Sequence, residues 1–138
     1  MEINSAMGRI SIIVDYTDNY SACPVNDKIV CISTGTTYKE LQKNMEDALH
    51  FHIQSMIDDG EAVPEEFSGE WSFDWQLTTR ALLHVTEKYV TKAAIAKATG
   101  INQQQLTHYA SGFRNPRPEM SKRIRNGIHQ IALELLQI

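Results

Sequence analysis

Cysteine is scarce: Cys23 and Cys31 are the only two in 138 residues, so no disulfide scaffold is available, and neither has Cys or His companions at metal-ligand spacing. In a reducing compartment they read as two thiols in or beside neighbouring strands. No run of about 18 apolar residues occurs, which argues against a membrane-spanning helix. The opening residues MEINSAMGRISIIVDY lack the basic-then-apolar order of a signal peptide, so a cytoplasmic location is expected. Gly-, Ser- or Pro-rich linkers and internal repeats are also missing. What remains, 42% hydrophobic residues in a chain of this length, suffices for one ordinary core or two small ones joined tightly.

Basic residues are scarce in one half only. Residues 1–76 hold four Lys and Arg against fourteen Asp and Glu, a balance of −10, whereas 77–138 hold nine against three, a balance of +6. Two halves of opposite sign suggest two partners of opposite sign, and the basic half meets the electrostatic precondition for nucleic acid. A boundary near Leu77-Thr78 is expected, giving domains 1–76 and 77–138.

The first half reads as α+β. Arg9 to Asp15 is rich in β-branched residues and is followed by the turn composition of Tyr16-Thr17-Asp18-Asn19. Tyr20 to Cys23 and Lys28 to Ser33 read as two more strands, which predicts a small antiparallel sheet. From Thr37 to Ile57 the apolar residues Leu41, Met45, Leu49, Ile53 and Met56 recur at helical steps, with Thr37 and Glu40 as a capping box and Asp58-Asp59-Gly60 as a stop. The alternation Trp71-Ser72-Phe73-Asp74-Trp75 predicts a last strand with one buried face, completing β-β-β-α-β.

The second half reads as an all-helical module. In it, Ala96 is followed four residues later by Gly100 and ten later by Leu106. A helix-turn-helix needs this order: a small side chain at a close helix crossing, a residue able to take positive φ in the turn, and an apolar anchor on the second helix. With Ile101 and Leu106 inward, Gln103, Gln104, Thr107 and His108 fall on or near the outward face. Gln pairs bidentately with adenine and His donates to a guanine acceptor, so these four are the base-reading candidates. Gln105, one step round, is expected to brace the module or reach the DNA backbone. Lys92, Asn102, Arg114, Asn115 and Arg117 are the phosphate-contacting candidates, the last three in a loop stiffened by Pro116 and Pro118.

Other signals read as structural. Asp15, Asp18 and Asp74 would make a metal-dependent nuclease only if the fold brought them together. His50 and His52 point about 200° apart on a helix and cannot share a metal. Trp71, Phe73 and Trp75 suit core packing or a protein interface better than base stacking, because acids flank them. No catalytic residue, metal site or cofactor is expected.

Two families resemble these stretches. Residues from about 78 to 130, through TKAAIAKATGINQQQLTHYASGF, resemble the Cro/cI repressor type of helix-turn-helix. That resemblance implies base contacts at Gln103, Gln104 and His108 and a phosphate contact near Lys92. The first half, through IIVDYTDNYSACPV, STGTTYKELQKNMEDALHFHIQSMIDDG and EAVPEEF, is similar to the HicB antitoxin family. This second resemblance implies a toxin-antitoxin role, in which the first domain masks a small basic RNA-cleaving toxin of the HicA type and the second represses the operon. The expected partners are thus double-stranded operator DNA, a small basic toxin, and a second copy of the chain in a homodimer or higher even oligomer. Glu61, Glu65, Glu66, Trp71 and Phe73 are the toxin-contact candidates. A stand-alone regulator and a nuclease are the alternatives.

Overall fold

The computed structural model describes residues 8–138. Its residues divide between Gln76 and Leu77 into two units. The first unit contains β1 (Gly8–Tyr16), β2 (Tyr20–Pro24), β3 (Ser33–Gly35), α1 (Tyr38–Asp58), a single 3₁₀ turn (Glu65–Phe67) and β4 (Trp71–Leu77). The second contains α2 (Thr79–Thr86), α3 (Lys92–Thr99), α4 (Gln103–Ser111) and α5 (Pro118–Leu136). The α+β class and the order β-β-β-α-β followed by helices are as expected.

The sheet order is β3-β2-β1-β4, with β1–β2 and β2–β3 antiparallel. β4 departs from the expected all-antiparallel sheet. Gly8 N–H donates to the Glu70 carbonyl at 2.9 Å, Arg9 lies 3.4 Å from Asp74, and Gln76 reaches Ser11 at 3.4 Å. The contacts advance together along both strands, so β4 runs parallel to β1 and the sheet is mixed. A parallel return needs a crossover, which α1 supplies.

The third strand is displaced from the predicted Lys28–Ser33: it runs Ser33–Gly35 and shares only Ser33 with that prediction, for a reason that lies across the hairpin. The register Tyr20↔Gly35, Ser21↔Thr34 and Ala22↔Ser33 continues to the turn, where Ile29 N–H donates to the Asn26 carbonyl at 3.3 Å. In between, Pro24 would face Cys31. Successive N–H groups point to opposite sides of a strand, and Val25 N–H is spent on Ser11 of β1 at 2.9 Å. The donor missing at Pro24 is therefore the one that would have bonded β3. The same register places Cys23 outward and Cys31 beside inward-facing Pro24; both thiols are free.

Ile10, Ile12 and Val14 of β1 and Tyr20 and Ala22 of β2 bury against Leu41, Met45, Leu49 and Ile53 of α1. Removing each of the Ile, Val, Leu and Met side chains from water is worth about 1.5–3 kcal/mol. Thr37 accepts the Glu40 N–H at 3.0 Å, and the Glu40 carboxylate turns back to the Thr36 N–H at 3.2 Å, one residue earlier than a standard capping box. The helix stops at Asp58, with Gly60 at φ +72. β4 has no fully buried residue. As a sheet edge it leaves Trp71, Phe73 and Trp75 half-buried, their rings in series at 5.3 and 5.1 Å.

Candidate nucleic-acid interface

The helical unit closes around Leu83, Ile95, Ile101, Leu106, Tyr109, Ile124 and Ile128, one cluster drawn from all four helices and the α3–α4 turn. α3 begins behind Thr91, whose hydroxyl accepts the Ala94 N–H at 3.0 Å, and ends at Gly100, which sits at φ +76. An L side chain there would be strained, so glycine lets the chain turn within two residues into α4. Asn102 caps α4, its side-chain oxygen accepting the Gln104 N–H at 2.7 Å.

With Leu106, Tyr109 and Ala110 buried, Gln103, Gln104 and Thr107 are exposed and His108 is half-exposed. Both glutamine side chains project from the first turn of the helix. Thr107 differs: its hydroxyl donates back to the Gln103 carbonyl at 3.2 Å, which leaves its methyl group and an oxygen lone pair outward. Gln105 donates to the Tyr109 hydroxyl at 2.9 Å and braces the module, as its position predicts. The capping oxygen of Asn102 is committed, and its NH₂ group remains as a donor.

After α4, Gly112 takes φ +80 and the chain turns through Phe113 to Arg117. Arg114, Asn115 and Arg117 are exposed. A groove of about 460 Å³ lined by these three also touches Gln105 and Met120. A second groove, of about 430 Å³, is lined by Asn102, Gln104, His108 and Arg123 and shares the same Gln105 and Met120. Gln104, His108 and the arginine loop therefore border one surface, whereas Gln103 and Thr107 line neither groove. Lys92, half-buried at the start of α3, lies outside both grooves.

Three further residues of this unit were not among the sequence candidates. Arg123 of α5 donates from Nε to the Thr99 carbonyl at 2.8 Å, holding the last turn of α3 and the entry to the α3–α4 turn with a charge of the sign the helix end favours. Arg80 packs its guanidinium on Gly112: a Cβ there would lie 2.6 Å from Nη1, and the buried Nε has no hydrogen-bond partner among the described residues. Phe113 is 71% exposed, its ring 4.9 Å from His108 and 6.0 Å from the Arg114 guanidinium. Phe113 had a signal, an aromatic directly behind a helix-ending glycine. Arg80 and Arg123 had none, since their partners are 32 and 24 residues away in the chain.

In the first unit, Glu61, Glu65 and Glu66 are exposed, and Glu66 accepts from Asn26 Nδ2 at 2.9 Å. Trp71 is wedged between His50 at 4.4 Å and Phe67 at 5.0 Å. Among the described residues no three His, Cys, Asp or Glu converge as a metal site, so Asp15, Asp18 and Asp74 are not brought together as one. No described helix is long and apolar enough to cross a membrane. Burial raises the thiol pKa of Cys31 and the phenol pKa of Tyr38.

A family model described as the HicB-like antitoxin of bacterial toxin-antitoxin systems matches residues 10–100, from the first strand through the turn glycine that follows α3. No curated protein and no solved structure is significantly similar to the chain.

Proposed function

The chain belongs to the HicB-like antitoxins of bacterial toxin-antitoxin systems, and from that premise we propose that it binds and masks a small basic toxin of the HicA type with residues 1–76 and represses its own operon with residues 77–138. It works by binding and not by catalysis, in the cytoplasm, with no cofactor.

The observation that carries the DNA half is the α3–Gly100–α4 turn, which presents Gln103 and Gln104 at the free N-terminal end of a capped helix in a unit of balance +6. Base edges in the major groove would meet Gln103, Gln104 and His108, with Thr107 offering its methyl to a thymine. Arg114, Asn115 and Arg117 would hold the sugar-phosphate backbone on one side. Lys92, Asn102 and the amides at the start of α3 would hold it on the other. One recognition helix reads a few base pairs, so affinity calls for a two-fold dimer spanning half-sites about 34 Å apart. The exposed apolar end of α5, Leu133, Leu135 and Leu136, supports a contact between copies there.

The test is co-expression with the product of the adjacent short reading frame, followed by capture of the complex and footprinting of the shared promoter. Both a stoichiometric complex and a protected palindrome are expected. Promoter protection without any partner would make the chain a stand-alone regulator; metal-dependent RNA cleavage by the chain alone would make it an enzyme.

A further inference from the structure

The sheet of the first unit has one face under α1 and one face that no described residue of its own unit covers. On the open face the hairpin register sets residues side by side in rows. Ile13 of β1 is opposite Cys23 of β2, and the register carried to the Asn26–Ile29 turn puts Ile32 on the other side of Cys23. The same extension of the register beyond the paired residues sets Val25 beside Val30. Their exposures are 41% for Ile13, 53% for Val25, 81% for Val30 and 72% for Ile32. A solvated antiparallel face normally alternates to polar residues, and Ser11, Ser21 and Thr34 of this face do so. The apolar residues are instead gathered at the hairpin end.

Around that patch lie three acids and two cations, Lys28 at the hairpin tip and Arg9, which is paired with Asp74. Asp15 lies on the same face toward the β1–β2 turn, Asp27 is at the hairpin tip, and Asp74 is on the β4 side, where it already holds Arg9 at 3.4 Å. An apolar centre with a charged rim is the anatomy of a protein-binding surface.

We infer that this open face, centred on Val30 and Ile32, is where the small basic partner docks, rather than the Glu61–Glu66 loop and the Trp71–Phe73 edge. The inference rests on the antitoxin reading of the first unit. Charge selects the occupant. A second copy would bring another unit of balance −10 against this rim, whereas a basic protein meets complementary charge and buries the apolar centre. The aromatic edge is a weaker candidate because Trp71 and Phe73 already pack on His50, Phe67 and each other.

The experiment uses the full chain and the protein encoded by the adjacent short reading frame. Affinity is measured by titration calorimetry for wild type, for Val30→Arg/Ile32→Arg and for Val30→Ser/Ile32→Ser. Because both side chains are largely in solvent, the variants should melt as wild type does. The arginine pair should weaken binding by roughly a hundredfold or more and the serine pair by less, since the first adds repulsion to the lost contact. Light scattering of each variant alone should match wild type, and promoter binding should be unchanged. Wild-type affinity in both variants would overturn the assignment of this face and leave the antitoxin reading standing. A change of oligomeric state in the variants would overturn it in favour of a contact between copies. No binding by the wild-type chain would overturn the antitoxin reading, and the inference with it.

Discussion

The two units solve the same problem, a small core in about 60–76 residues, with different exposed remainders. In the α+β unit the surface is acidic, and its exposed large apolar residues include Ile13, Val25, Val30 and Ile32 on one sheet face. In the helical unit the balance is basic, the exposed start of α4 is polar and uncharged, and exposed large apolar residues gather instead at the end of α5. Acid around an apolar patch suits a basic protein, which is recognised by burying area. Cations beside a row of amides suit DNA, which is held by its phosphates and read by hydrogen bonds. For the proposed partners, charge sign would tell one from the other, while the chemistry of the exposed residues would set the mode of recognition.

The largest effects should come from destabilising one unit at a time. Leu49→Ala and Leu106→Ala each delete a side chain with 0% exposure, so each should cost about 2–5 kcal/mol in denaturant unfolding. The functional losses should be opposite: partner capture for Leu49→Ala, promoter binding for Leu106→Ala. If either variant lost both activities equally, the division of labour would be wrong.

Salt should affect the two activities through different groups. Arg114→Ala/Arg117→Ala should weaken promoter binding for every sequence alike and flatten its log–log salt slope by about 2 per protomer, as filter binding at several ionic strengths would record. A change confined to one operator sequence would move these arginines from the backbone to the bases.

Smaller effects separate reading from capping. Gln103→Ala or Gln104→Ala should each cost about 1–3 kcal/mol on the preferred site and relax base preference there, with thermal stability nearly unchanged. Asn102→Ala should instead lower stability by about 1 kcal/mol through the lost cap. A binding-site selection that returned the wild-type profile for both glutamine variants would remove α4 from the reading role.

The smallest difference lies within the first unit. Cys23 is exposed on the open face, whereas burial raises the pKa of Cys31, so less of it is thiolate at any pH below that raised value. Iodoacetamide near neutral pH should label Cys23 first, with Cys31 gaining ground as pH rises. Bound partner should protect Cys23, which mass spectrometry of the labelled peptides would reveal.

Much of the fold was legible because the signals are local. The period of Leu41, Met45, Leu49 and Ile53, the stop at Gly60 and the Ala96–Gly100–Leu106 spacing depend only on residues a few steps apart. The same holds for the face of α4, since burying Leu106 and Tyr109 leaves Gln103 and Gln104 no other side to occupy. The displaced third strand was not legible, because the defect is a missing donor at Pro24 and its victim, Cys31, lies seven residues on across the hairpin.

By itself, then, the sequence determined the elements, their caps and the opposite charge of the two units, because propensity, periodicity and composition act within a turn or two of chain. Only the tertiary structure decided that β4 runs parallel to β1, that Arg123 holds the Thr99 carbonyl, that Arg80 sits on Gly112, and that Ile13, Val25, Val30 and Ile32 share an uncovered face. Each of these joins residues far apart in the chain, and their closeness is set by how the elements pack.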